Sequence, residues 1–225
     1  MKRVWLILAA FLGLAVTSLP ATADIQYTLN QGGSVGPTPF NYGTVNLHQV
    51  GSGSSAYITV TVTLSAGEVF LTTGSHSGFT WNLLGSTTPT SVTITSANAG
   101  GFTVKPFNGS YGNSPFGDFE YAIENNNTGG DGGIAGPLVF DIKKTGGLLL
   151  TDTLFSANAN GNFFAADIGT GCTLGSKGKY ACAATGVVAA NDPPTQVPEP
   201  QTWLLSIAGL AGLTALYRRR KLARA

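Results

Sequence analysis

Between positions 56 and 64 the chain reads AYITVTVTL, and polar and apolar side chains alternate there without a break. Ile58, Val60, Val62 and Leu64 fall on one side, and Tyr57, Thr59, Thr61 and Thr63 on the other. A period of two marks an extended strand with one buried face, because successive side chains of a pleated strand point to opposite faces. Apolar runs of similar length recur at 25–30, 44–50, 68–72, 79–84, 91–95, 102–105, 119–123, 138–143, 163–168 and 186–190. Clusters of Gly, Pro, Asn and Ser separate them, as short turns require. Only TDTLFSAN at 151–158 offers a helical option, with Thr151 or Asp152 placed to cap it. Short strands with almost no helix predict an all-β fold, an antiparallel two-sheet sandwich that is jelly-roll-like, with a closed barrel as the alternative. The strands show no fixed repeat length, which argues against a solenoid.

The two ends break this pattern. Lys2 and Arg3 precede an apolar run at 4–16 that is too short to span a bilayer comfortably, and Ala21-Thr22-Ala23 follows Pro20. This is the order of a secretory signal, with small residues Ala21 and Ala23 at the cleavage site and Asp24 as the first mature residue. At the other end the prolines of Pro198-Glu199-Pro200 fix φ and push Glu199 into an extended conformation, so this stretch is expected to be exposed chain that a protease can thread. Leu204, Leu205, Ile207, Leu210, Leu213 and Leu216 together favour bilayer insertion by roughly 2 to 4 kcal/mol, while Gly209 and Gly212 weaken the helix slightly. The sixteen residues 202–217 reach about 24 Å, short of a hydrocarbon core of about 30 Å. Trp203, Tyr217 and snorkelling arginines therefore have to reach the interfaces. Arg218, Arg219, Arg220, Lys221 and Arg224 belong in the cytoplasm by the positive-inside rule, which leaves the body on the other side.

The expected organisation is a signal helix at 1–23, an extracellular β-sandwich domain at 24–190 and a Pro-rich linker at 191–200. A transmembrane helix at 201–217 and a basic cytoplasmic tail at 218–225 follow. This division changes the reading of charge. Of the twelve Lys and Arg residues, seven lie in the signal and tail, whereas ten of the eleven acidic residues lie in the body, which is left with a net charge near −5. A mildly acidic body argues against nucleic acid or an anionic membrane surface as partner. Charged residues are also scarce at 10% of the chain, so Thr, Ser, Asn and Gly must supply the solvated surface. Export would place Cys172 and Cys182 in an oxidising compartment, and their separation by a turn-rich loop predicts a disulfide. Closing about ten residues stabilises by roughly 2.7 kcal/mol in the chain-entropy treatment.

The tail, with Val197, Pro198, Glu199 and Pro200 ahead of a glycine-interrupted apolar helix and an arginine cluster, resembles the PEP-CTERM family of exported bacterial proteins in both order and spacing. The resemblance implies passage through the Sec translocon and an inner-membrane precursor. It further implies recognition by a membrane-embedded exosortase in a Gram-negative bacterium, loss of the tail near Pro198 to Pro200, and delivery to the cell surface or extracellular polysaccharide matrix. The body is also similar to small sandwich proteins of that family through GSHSGFTWNL at 74–83, PFGDFEYAI at 115–123, GGIAGPLVFDI at 132–142 and NFFAADIG at 162–169. None of these segments is a catalytic signature.

Candidate chemistry is sparse. His48 and His76 have no acid or nucleophile at a spacing that suggests a triad or a metal pair. Asp118 and Glu120 are expected on one face of a strand about 7 Å apart, with Glu124 beyond, and Asp141 or Asp167 as further acids for a glycosidase. The stretch ENNNTGGDGG at 124–133 offers oxygen donors but matches neither an EF-hand nor a tandem calcium repeat, so it reads as a polar turn. No metal or cofactor is expected. Phe116 and Phe119 are expected in the core, and Tyr111 and Tyr121 are the residues whose rings would contact a glycan. The leading expectation is a non-enzymatic exported surface or matrix protein associated with exopolysaccharide or biofilm. The alternatives are a carbohydrate-binding module and a secreted glycosidase.

Overall fold

The computed structural model describes residues 24–36, 40–85, 87–127, 132–175 and 178–197. In chain order the first strands are β1 (Asp24–Thr28), β2 (Gln31–Gly32), β3 (Gly43–Val50), β4 (Tyr57–Leu64), β5 (Val69–Phe70) and β6 (Phe79–Trp81). They are followed by β7 (Ser91–Ile94), β8 (Phe102–Val104), β9 (Tyr111–Gly112), β10 (Asp118–Phe119), β11 (Tyr121–Asn125) and β12 (Ile134–Ala135). The last are β13 (Leu138–Lys143), β14 (Phe164–Thr170), β15 (Thr173–Leu174), β16 (Tyr180–Ala181), β17 (Ala184–Ala190) and β18 (Thr195–Val197). The described fold is all-β, and two single-turn 3₁₀ segments, Gly53–Ser55 and Ala99–Gly101, are its helical pieces.

Two large sheets form, the first in the order β18-β1-β3-β4-β13-β7. In the second, β14 pairs β17 on one side and both β5 and β6 on the other, and β11, β8, β12 and β2 complete it. Every pairing with a determined register is antiparallel, including those of two small hairpins, β9–β10 and β15–β16. The alternation of β4 sets the inner face of the first sheet. Ile25, Leu47, Val60, Phe140 and Ile94 lie opposite one another across five strands, and Tyr27, Val45, Val62 and Leu138 form the next row. The second sheet presents the rows Tyr121–Trp81–Phe164–Ala190 and Ile123–Phe79–Ala166–Val188. These inner faces meet in one buried cluster, which makes the body a β-sandwich. Phe140 of the first sheet lies 4.9 Å from the Trp81 ring and 6.0 Å from the Phe79 ring, while Tyr27 packs edge-on against Phe164 at 4.9 Å.

The sequence-predicted strands form with ends displaced by a few residues, except that 119–123 is divided between β10 and β11 of different sheets. The helical option at 151–158 does not form. Leu154 and Phe155 are both buried, and this stretch instead runs alongside 82–84, with Phe155 bridged to Leu83 and the Leu84 N–H donating to the Leu154 carbonyl at 2.9 Å. Burial of two adjacent apolar side chains outweighs the weak local preference for a turn of helix. Cys172 and Cys182 are joined by a disulfide that closes the β15–β16 hairpin. The bridge lies over Gly169 of β14, where a Cβ would collide with both sulfur atoms. Among the described residues no helix is long and apolar enough to cross a membrane, and the expected span at 201–217 lies outside them.

Replacing Phe140 with alanine removes the ring through which the first sheet touches both Phe79 and Trp81. Urea unfolding is expected to show a loss of about 3 to 5 kcal/mol. A loss below about 1 kcal/mol contradicts a central place for this side chain.

Candidate functional site

The outer face of the second sheet is not a water-facing surface. Alternation along β6, β14 and β17 directs Thr80, Ala165, Asp167, Val187 and Ala189 away from the sandwich core, yet all five are fully or almost fully buried. Phe116 and Phe119 lie over Ala165, Val187 and Ala189, forming a second small apolar cluster. The small alanines let the segment bearing these rings approach the sheet closely. Asparagines then fasten this cover. Asn113, wholly buried, accepts the Ser77 N–H at 3.0 Å and donates to Thr80 Oγ1 at 2.9 Å. The amides of Asn158 and Asn162 both donate to the Phe116 carbonyl, at 2.8 and 3.0 Å, and the Asn82 side chain accepts the Glu120 N–H at 2.7 Å.

A cleft of about 420 Å³ opens in this cover, lined by Ser75, Gly112, Ser114, Pro115, Gly117, Asp118 and Asn160. The β9–β10 hairpin supplies one wall, with Gly112 opposite Asp118 and Tyr111 opposite Phe119. Gly117 has φ +96°, and a Cβ there would meet the Asn160 amide at 2.8 Å, so only glycine brings these two walls together. Asp118 is exposed and accepts a hydrogen bond from Ser110 Oγ at 3.1 Å. Tyr111 is half-buried next to the cleft wall, and its hydroxyl donates to the Pro106 carbonyl at 2.6 Å. Hydroxyl, amide and carboxylate oxygens around an open cleft suit a polar, hydroxyl-bearing ligand.

The structure separates the two tyrosines that the sequence groups together. Tyr121 is 2% exposed, its ring stacks on Trp81 at 5.7 Å, and its hydroxyl lies 3.2 Å from Asn108 Oδ1 inside the sandwich. The expected glycan contact through Tyr121 is therefore corrected, because the alternation of β11 points it inward with Ile123. Tyr111 alone remains at the surface, while Phe116 and Phe119 take the packing role expected of them. Glu120 does not share a strand face with Asp118, since β10 ends at Phe119. The other acids are dispersed. Glu124 pairs with Lys105 at 3.2 Å, and Asp141, on the first sheet, accepts from Thr59 Oγ1 at 2.8 Å. His48 pairs with Asp24 at 2.6 Å on the surface. At 124–133, Asn125 commits its amide to the Phe70 and Gly132 carbonyls, and residues 128–131 lie outside the described residues. Among the described residues no group of three or more His, Cys, Asp and Glu side chains converges. Ala21, Ala23, Pro198, Glu199, Pro200, Arg218, Arg219 and Arg220 also lie outside the described residues, whereas Asp24 opens β1 and Val197 closes β18.

Sequence reasoning missed the asparagines. The signal that marks them is the spacing NANGN at 158–162, where short amides favour Asx turns. Here the Asn158 side chain accepts the backbone N–H groups of Asn160 and Asn162, both at 3.0 Å.

Burial raises the pKa of two carboxyl groups of the body, Asp167 and Glu68. Asp167 is completely buried, its Oδ2 accepts from the Thr73 N–H and hydroxyl at 2.5 and 2.7 Å, and its Oδ1 has no partner. Burial raises its pKa against the opposing pull of the Thr73 hydrogen bonds and of His76. This pair holds the loop that carries Ser75 into the cleft. Glu68, half-buried in the turn before β5, has its pKa pushed up to about 7 by burial, against the lowering effect of the Ser65 backbone. The folded state thus keeps Glu68 protonated where the unfolded chain, with an ordinary value of 4.5, has released the proton. Its contribution is complete below about pH 4.5 and is lost as pH rises through about 7. Glu68→Gln is expected to flatten the stability profile across that window and to raise stability at pH 8 by about 1 kcal/mol after solvent screening, or a melting rise of about 2 to 4 °C. Thermal melts from pH 4 to pH 8 check this, and an unchanged slope contradicts it. No known protein family matches the chain, nor does any characterised protein or any solved structure.

Proposed function

We propose that the chain is a non-enzymatic exported sandwich protein of the bacterial surface or polysaccharide matrix, delivered by a disposable C-terminal tail. The observation that carries this reading is the position of the body's ends. The compact unit spans Asp24–Gln196, its first strand begins at the residue after the expected signal cleavage, and its last strand ends immediately before Pro198. β1 and β18 are neighbours at one edge of the first sheet, so the two ends of the body are carried by adjacent strands. Glu124 is paired with Lys105, Asp141 accepts from Thr59 and Asp167 accepts from Thr73, engagements that support structural roles for these acids over the acid and base of glycoside hydrolysis. The jelly-roll-like reading belongs to the same proposal. The chain passes from β4 to β5 and β6 in the opposite sheet, returns for β7, crosses again for β8, β11 and β12, and returns once more for β13.

Alanine at Pro198, Glu199 and Pro200 together is expected to leave a longer, membrane-retained form in cell fractions, read by intact mass. Unchanged processing and release overturns the sorting role.

The cleft beside Asp118 favours a second reading, a carbohydrate-binding module. Tyr111→Ala in the full chain is expected to weaken binding to the host's exopolysaccharide at least about tenfold, equivalent to about 1.4 kcal/mol. Equal binding by both proteins removes this cleft from consideration.

A further inference from the structure

A second cleft, of about 610 Å³, lies at the opposite edge of the first sheet from β18 and β1, lined by Thr95, Ser96, Ala97, Asn98, Ala135, Gly136, Pro137 and Val139. It is formed where the chain leaves edge strand β7 and meets the turn between β12 and β13. Its volume is within the range of about 300 to 1,000 Å³ common to small-molecule sites.

Two polar side-chain oxygens in this lining are unused. Ser96 is 8% exposed and its Oγ has no hydrogen-bond partner, and Asn98 Oδ1 is likewise buried without one. Serine and asparagine beside a turn usually satisfy local backbone groups, but these do not. Asn98 stands at the N-cap of the turn Ala99–Gly101 and makes no side-chain cap hydrogen bond, and the Ala99 N–H goes to the Ser96 carbonyl at 3.0 Å. The Asn98 amide nitrogen donates instead to the Ala135 carbonyl at 2.5 Å, which fixes its oxygen as the free acceptor.

We propose that this cleft binds an uncharged sugar residue. The oxygen of Asn98 requires a donor, and the Ser96 hydroxyl both donates and accepts, which are the complementary roles of neighbouring sugar hydroxyls. Ala97, Ala135, Pro137 and Val139 supply apolar surface for the C–H face of the ring. The lining contains no charged side chain, so an acidic saccharide finds no counter-charge there. An extended peptide is the poorer fit. Strand addition needs free backbone groups, whereas the N–H groups of both Thr95 and Ser96 already donate to the Val139 carbonyl, at 2.8 and 3.2 Å. Ser96 Oγ and Asn98 Oδ1 are both shielded from water, so the bound state requires small side-chain rotations that open them to the cleft.

The proposal stands without the Tyr111 cleft and without the sorting tail. Full-length chain in a sugar-free detergent is titrated with uncharged glucose-, galactose- and mannose-based oligosaccharides, using calorimetry and thermal melts. Binding to at least one of them is expected, nearly independent of salt. Ser96→Ala is expected to weaken it about tenfold without lowering the melting temperature, since it deletes a buried hydroxyl that has no partner. Ala97→Trp is expected to fill the cleft and abolish binding, while Tyr111→Ala leaves it unchanged. Silence toward every neutral sugar, binding that survives both Ser96→Ala and Ala97→Trp, or binding lost only in Tyr111→Ala each overturns the proposal. So does preferential binding of acidic sugars or of peptides that Ala97→Trp blocks.

Discussion

The contact of Phe140 with Trp81 and Phe79 is the constraint from which the rest of the body follows. Phe140 is on β13, which lies between β4 and β7, and its ring crosses the mid-plane of the sandwich to meet two rings of the opposite sheet. Those rings continue laterally, with Trp81 stacked on Tyr121 and Phe79 on Phe164. A layer of aromatic side chains therefore couples both sheets in two directions, each ring burying large area and fixing a geometry beyond it. The layer leaves the Trp81 indole N–H without a hydrogen-bond partner. An orphaned donor of this kind costs about 1 to 3 kcal/mol, and it persists because the ring's packing contributes more.

Because the inner face is filled by large rings, the outer face of the second sheet is built from the opposite material. Ala165, Ala189 and Gly169 keep β14 and β17 flat on that side, and two features exploit the space. Phe116 and Phe119 close over the alanines, and the Cys172–Cys182 bridge rests on Gly169. The cover is then fastened almost wholly by uncharged groups, Asn113, Asn158, Asn162 and Asn82 to backbone, in keeping with a chain in which only 10% of residues are charged. Asp167 is the exception, a buried carboxyl tied to Thr73 beneath the same cover. Both clefts thus lie outside the aromatic layer, which holds the two sheets together.

Legibility in the sequence follows the same division. Where one face of a strand is buried and the other wet, as in β4, a period of two is written directly in the residues, and the predicted strands form. Where both faces are covered the alternation disappears, as in β14, whose residues from Phe164 to Gly169 are all buried. Tyr121 was misplaced for a related reason. It lies two residues beyond Phe119, and these two aromatic side chains belong to different strands and different cores, one outside the sheet and one inside. The aromatic run at 111–121 predicts Tyr121 beside Tyr111 at the surface, but the break between β10 and β11 turns Tyr121 into the sandwich core. The clefts were invisible because they depend on turns meeting across long separations. Asn160 meets Gly117 forty-three positions away, and Asn98 meets Ala135.

The position of the chain ends connects the fold to the proposed export route. A sandwich has exposed edges, and an unpaired edge is a template for unwanted strand pairing. In the first sheet β18 lies against β1, so the last described strand shields the first. All three residues of β18 are exposed, and it has little apolar surface to hold it there beyond Val197. Local opening is easiest where few apolar contacts oppose it. On the proposed reading this places the weakest strand of the sheet next to the bond that must be cut, where a protease needs extended chain. The aromatic layer and the disulfide lie elsewhere in the body, so release of β18 leaves the folded passenger's core unaltered.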